Sequence, residues 1–273
     1  MKPDDKHPPE TAADVTGWSA LRAHTAARIG LGRIGASQST GDVLRFALAH
    51  AQARDAVAQA LDTNALAQQL TSAGWQCFAV PSAAPDRAVY LRRPDLGRRL
   101  GARARQALNT AAQATTATGP VHIAFVVADG LTAQAVQVQA GALLAAVRDR
   151  LPVTWTYAPV ALATQARVAL GDEVGQGLGA DLVVVLIGER PGLSSPGSMG
   201  AYLTYQPVVG LPDSRRNCVS NIRPAGLAIE AGAKRLAWLM QAAVQRRLSG
   251  VMLKDGSEPQ PVSTDPPPSL PAD

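Results

Sequence analysis

Apolar and polar positions follow two regimes along the chain. Over residues 17–116 the apolar residues recur at helical spacing. Leu44, Ala47, Leu48 and Ala51 fall on one face of a segment where Ser39 or Thr40 can cap free amide groups. Asp42 stands in its first turn, where the helix dipole favours negative charge. In YLRRPDLGRR, residues 90–99, Pro94 breaks the pattern, and Asp95 and Leu96 open another helix. From about Pro120 the pattern changes to short, continuous apolar runs. VHIAFVVA at 121–128 ends on Asp129-Gly130 and is followed by an alanine-rich helical stretch. Residues 153–157 read as a second strand. DLVVVLIG at 181–188 is apolar throughout, as a strand covered on both faces must be. Residues 202–205 offer a further strand. Residues 229–248 form a last helix with Leu236, Met240 and Ala243 on one face, closing near Arg246, Arg247 and Gly250.

Strands alternating with helices predict an α/β fold, with an N-terminal helical region followed by a doubly wound, Rossmann-like parallel-sheet domain. The expected divisions are a mobile head at 1–16, the helical region at 17–116, the sheet domain at 117–253 and a disordered tail at 254–273. Head and tail combine Pro, charge and small polar residues, which bury too little surface to offset chain entropy. In a doubly wound sheet, ligands bind beyond the carboxyl ends of the strands. That directs attention to the loops starting at Asp129, near Ala158 and at Glu189.

Composition narrows the class without naming a function. With 273 residues, 47% of them hydrophobic, the chain can bury a substantial core. A formal charge of +5 raises the question of nucleic acid, but the basic runs Arg92-Arg93, Arg98-Arg99 and Arg246-Arg247 are short and lack interleaved aromatics. Cys77 and Cys218 form no CxxC pair, which fits a reducing compartment. No apolar run is long enough for a signal peptide core or a membrane span.

The commonest catalytic signatures are missing. No GxGxxG follows the first strand, no GxxxxGK[ST] occurs, and no serine lies in a GxSxG elbow. His7, His24, His50 and His122 lack paired metal-ligand spacing, so no metal site is assigned. Two groups remain. Glu189-Arg190-Pro191-Gly192 ends the strongest strand, reading either as a ligand contact or as an Arg-paired turn. Arg216-Asn217-Cys218-Val219-Ser220-Asn221-Ile222 sets a cysteine among polar residues, reading either as a ligand contact or as a buried small thiol. No catalytic residue is assigned, and an accessory or binding subunit fits better than a self-sufficient enzyme.

Several of these segments resemble the small subunit of ethanolamine ammonia-lyase. They are ARIGLGRIG at 27–35, LAHAQARDAV at 48–57, YLRRPDLGRRL at 90–100, then ADGL, IGERPGLSSP, YLTYQP and NCVSNIRP. The matching blocks run in one order from about Leu21 to Leu253. The resemblance implies a lyase in which adenosylcobalamin is split homolytically and ethanolamine is converted to acetaldehyde and ammonia. It implies a large subunit that carries the ethanolamine site, a small subunit against the lower side of the corrin, and a cofactor shared between them. By the family's pattern the cobalamin contacts fall on Val168 in QARVALGDEVG, Glu189 in IGERPG and Cys218 in RNCVSNI. Glu189 is expected to accept hydrogen bonds from the cofactor's tail, and Val168 and Cys218 to act through backbone groups and close packing. No histidine lies in a D-x-H-x-x-G motif, so base-on binding is expected. The expected location is a soluble cytoplasmic complex, with enclosure in a bacterial microcompartment left open. A stand-alone nucleotide-binding oxidoreductase and a basic nucleic-acid-binding module are the alternatives, disfavoured by the missing glycine fingerprint and the dispersed charge.

Overall fold

Helices enter through their caps. In the computed structural model, which describes residues 18–115 and 118–257, Ser39 accepts the Asp42 amide through its hydroxyl at 3.1 Å and starts α2 (Thr40–Ala58). A short α1 (Trp18–Arg22) and a hairpin of β1 (Arg33–Ile34) and β2 (Ser37–Gln38) precede it. Asp62 caps α3 (Thr63–Ser72), and Pro94 occupies the first turn of α5 (Pro94–Gly97), where its missing N–H is harmless. The expected mobile head and residues 258–273 of the expected disordered tail lie outside the described residues.

A seven-stranded mixed sheet organises the rest. Its members are β3 (Cys77–Ala79), β4 (His122–Ala128), β5 (Thr156–Tyr157), β6 (Val160–Ala163), β7 (Leu182–Gly188), β8 (Met199–Tyr205) and β9 (Arg216–Ile222). The order is β3-β6-β4-β7-β8-β9, with β5 beside the start of β4. Strands β3, β6, β4 and β7 run parallel, whereas β8 and β9 are antiparallel additions. The fold is therefore α/β with a mostly parallel sheet, and the wholly parallel sheet expected from the apolar runs is corrected by β8 and β9. Their connections are short enough for antiparallel neighbours, whereas parallel pairs need a crossover.

Two further differences concern where strands lie. Val153 is fully exposed in a turn closed by Trp155 N–H donating to Pro152 O at 3.0 Å, so the second strand does not begin there. It starts at Thr156 and resumes at Val160 after Pro159, which has no N–H for a ladder, and the loop expected near Ala158 begins after Ala163. β3 interrupts the helical stretch 17–116 and pairs with β6 at the sheet edge. Long-range pairing selects that strand: Cys77, Phe78 and Ala79 pair with Val160, Ala161 and Leu162.

Side chains alternate between two cores. On one face Ile123, Phe125, Val127, Leu182, Val184 and Leu186 pack under α3, α7 (Ala133–Arg148) and α9 (Ile229–Arg246). On the other, Ala124, Val126, Val183, Val185 and Ile187 pack under α6 (Ala102–Ala114) and α8 (Leu170–Gly177). At the carboxyl ends of β4 and β7 the backbone closes on itself. Gly130 has φ +55°, and a Cβ there would lie 2.2 Å from Gly188 O. Leu131 N–H donates to Gly188 O at 2.9 Å, so these two strand ends seal each other.

Candidate functional site

The second face of the sheet is not covered to its edge. On β8, Met199, Ala201 and Leu203 point into the first core, which sends Gly200, Tyr202 and Thr204 to the opposite face. The antiparallel register places Cys218 opposite Tyr202, and Arg216 opposite Thr204. Helix α8 ends the cover beside this pair of strands. Asp172, in its first turn, receives both terminal nitrogens of Arg216, at 2.5 and 2.7 Å. Arg216 also donates to Thr204 Oγ1, Leu211 O and Asp213 Oδ1. This buried, bidentate pair welds α8 to β9. Beyond it an open cavity of about 390 Å³ is lined by Arg98, Arg167, Val168, Tyr202, Arg216 and Cys218.

Val168 reaches the cavity because the loop after β6 is held at several points. Asp129, buried at the end of β4, accepts the Gln165 and Ala166 amides at 2.7 and 3.0 Å and Arg87 Nη1 at 3.3 Å. Burial pushes its carboxyl upward, opposed by those N–H groups and by Arg87. Tyr90 donates its hydroxyl to Ala166 O at 3.0 Å, and Arg167 N–H donates to Gly97 O at 2.8 Å. Burial raises the Tyr90 hydroxyl to about 12, keeping it a donor. Asp129, singled out as the start of a ligand loop, thus anchors the loop that carries Val168.

Cys218 is exposed, which removes the buried-thiol alternative. Partial desolvation against the sheet, with Glu189 nearby, pushes the thiol up, against a hydrogen bond with Tyr202 that pulls it down. Desolvation likewise raises the Tyr202 hydroxyl, so both groups are neutral at pH 7.

Glu189 follows β7 and lies over Gly200 rather than in the cavity lining. A Cβ on Gly200 would come within 2.9 Å of Glu189 Oε1 and 3.2 Å of Tyr202 Cε2, so the glycine leaves room for the two side chains to approach there. The carboxylate accepts Ser198 Oγ at 2.5 Å and the Asn221 amide at 3.3 Å. It braces the loop through these partners, not through the arginine that the turn alternative required. Carboxylate oxygens accept about four hydrogen bonds, so capacity remains for a ligand donor. The structure therefore sets Val168 and Cys218 on one cavity, with Glu189 beside them across Tyr202 and Gly200.

The loop holding Glu189 also meets the start of the ARIGLGRIG segment. Arg28 Nη2 donates to Leu193 O at 3.4 Å, and Ser194 Oγ donates to Ala26 O at 3.1 Å. The family model of the ethanolamine ammonia-lyase light chain (EutC) matches residues 15–254. The chain belongs to that family. It is 52% identical over 252 residues to the ethanolamine ammonia-lyase small subunit of Ralstonia nicotianae, covering 91% of this chain and 93% of that protein. It is 51% identical to the small subunits of Pseudomonas putida W619 and Xanthomonas campestris pv. campestris B100, each with 91% of both chains covered. The light-chain family is that of a lyase, which sets aside the oxidoreductase and nucleic-acid alternatives.

Light-chain membership accounts for the blocks read in the sequence, but not for every residue at the site. Tyr202 entered only as a strand position and Arg98 only as part of a basic run, and neither Arg167 nor the pairing of Asp172 with Arg216 was singled out. For Arg167 the signal in the sequence was its place next to Val168. Among the described residues no group of three or more His, Cys, Asp or Glu side chains could hold a metal ion, and no helix is long and apolar enough to cross a membrane. His122 is buried, with Nδ1 2.9 Å from Thr156 Oγ1 and Nε2 without a partner. His7 lies outside the described residues.

Proposed function

We propose that this chain is the cobalamin-contacting small subunit of an ethanolamine ammonia-lyase, inactive by itself and assembled with a large subunit that holds ethanolamine. The cofactor is adenosylcobalamin, bound base-on and shared between the two chains. The observation that carries this reading is the cavity on the uncovered part of the sheet, to which separate segments bring Val168 and Cys218. Its chemistry suits a large amide-rich ligand. Tyr202 and Val168 offer apolar surface, Glu189 retains acceptor capacity, and Arg167 Nε is a buried donor without a partner.

When bound, adenosylcobalamin supplies the radical chemistry, and the protein supplies position and environment. Glu189 accepts hydrogen bonds from amide or hydroxyl donors of the cofactor's tail. Val168 and Cys218 contact it by packing and backbone groups. The Asp172–Arg216 weld and the Asp129 anchor keep those contacts at fixed separation. The order β6-β4-β7, with helices on both faces, supports reading 117–253 as a doubly wound, Rossmann-like domain attached to a helical region at 17–116. A cytoplasmic complex is the setting we assign, with microcompartment enclosure left open.

Glu189→Gln tests the reading because it keeps the shape and removes the charge. If the charged hydrogen bond to the cofactor contributes about 1.5–3 kcal/mol, the variant complex binds cobalamin roughly ten- to a hundredfold more weakly. Ethanolamine affinity at saturating cofactor stays unchanged. Unaltered cobalamin affinity with a lowered melting temperature would assign Glu189 to bracing Ser198 and Asn221 alone.

A further inference from the structure

Three arginines line the cavity, and only one is neutralised. Arg216 is paired with Asp172 and Asp213. Arg98, exposed just after α5, makes no side-chain hydrogen bond or ion pair with any described residue. Arg167 makes no ion pair with a described residue either, yet it is held in place. Its stem passes Gly97, where a Cβ would lie 3.0 Å from Arg167 Cγ, and its guanidinium carbon sits 4.4 Å from the Tyr90 ring centroid. Its Nε is buried without an acceptor.

A fixed guanidinium with an orphaned donor beside a second unpaired one is an arrangement that lacks an anion. Planar N–H forks match phosphate oxygens, and cation–π contact with Tyr90 orients the fork without neutralising it. We infer that Arg98 and Arg167 form a phosphodiester subsite that receives the nucleotide tail of the corrinoid. This rests on the cobalamin-contacting role proposed above. The corrin's peripheral amides are neutral, whereas the link to the lower nucleotide is a phosphodiester monoanion. That group is the natural counter-charge for a cavity whose acidic lining residue, Asp213, is already engaged by Arg216. Val168, next to Arg167 on the cavity wall, would then border the tail.

The test compares two corrinoids on the assembled complex of both subunits. Cyanocobalamin carries the phosphodiester and nucleotide; dicyanocobinamide lacks them. Equilibrium binding is measured for wild type, Arg98→Gln, Arg167→Gln and Arg167→Lys, with melting temperatures alongside. Arg98→Gln is the safeguard, since that exposed side chain makes no hydrogen bond or ion pair with a described residue whose loss would disturb folding. Each Gln variant is expected to weaken cyanocobalamin by about tenfold, the scale of one charged hydrogen bond. Cobinamide affinity should change less than about twofold, because no anion is lost on that ligand. Arg167→Lys should recover part of the affinity, and raised salt should weaken wild type more than either Gln variant. Equal losses for both corrinoids, or no loss for cyanocobalamin with Arg98→Gln, would overturn the subsite. A wild-type complex that binds neither corrinoid would overturn the cobalamin reading itself.

Discussion

The same face of one sheet has two fates. Under α6 and α8 it is made of Ala124, Val126, Val183, Val185 and Ile187, all buried. On β8 and β9 it runs from Thr204 and Arg216, buried at the Asp172 weld, to half-buried Tyr202 and exposed Cys218, and no helix of the described residues covers it past that weld. The covered half follows the rule that a strand enclosed on both faces is continuously apolar. The bare half alternates, apolar toward α9 and polar or small toward the cavity. An antiparallel pair added beyond the last helix therefore makes a wall rather than a core, and the seam between the halves is where the site lies.

The strongest way to break this comparison is to cut the seam. Arg216→Met leaves Asp172 buried without its cation, and removal of one member of a buried pair destabilises by about 3–5 kcal/mol. Urea unfolding of the variant should show that loss, and a variant as stable as wild type would mean α8 is held to the sheet by packing alone. Replacing both residues by apolar ones, Asp172→Leu with Arg216→Met, should recover most of the stability.

A smaller effect comes from the covered half through pH. Burial holds the His122 imidazole below its ordinary value of 6.5, outweighing the nearby Asp181. The unfolded chain therefore takes up a proton before the folded protein does. Stability is full above about pH 6.5 and is lost as pH falls from there toward the folded value, at no more than about 1.4 kcal/mol per pH unit. His122→Gln should flatten that part of the stability profile. An identical acid slope in both proteins would show that His122 titrates alike folded and unfolded.

The smallest effect belongs to the bare half. Cys218→Ala removes an exposed thiol opposite Tyr202 and should shift unfolding free energy by no more than about 0.5 kcal/mol. A loss of 2 kcal/mol or more would place Cys218 in the core and erase the distinction between the halves.

Much of the fold was legible because its signals are local. Ser39 with Asp42, Pro94, the apolar runs that became β4 and β7, and the periodicity of α9 each act on neighbours within a few residues. β3 and β6 were missed for the opposite reason. Three or four residues carry too little periodicity to declare a strand, and their pairing with one another is a long-range fact. Resemblance supplied Val168, Glu189 and Cys218 as names, but not the surface they share.

By itself the sequence determined the cap of α2, the buried strands β4 and β7, the absence of the common nucleotide and nucleophile motifs, and the family. Tertiary structure alone decided that β8 and β9 extend past their helical cover, that Asp129 pins the Val168 loop, and that Arg216 finds its counter-charge on α8 while Arg98 and Arg167 find none among the described residues. Strand register and charge compensation are relations between residues far apart in the chain, and no spacing along it records them.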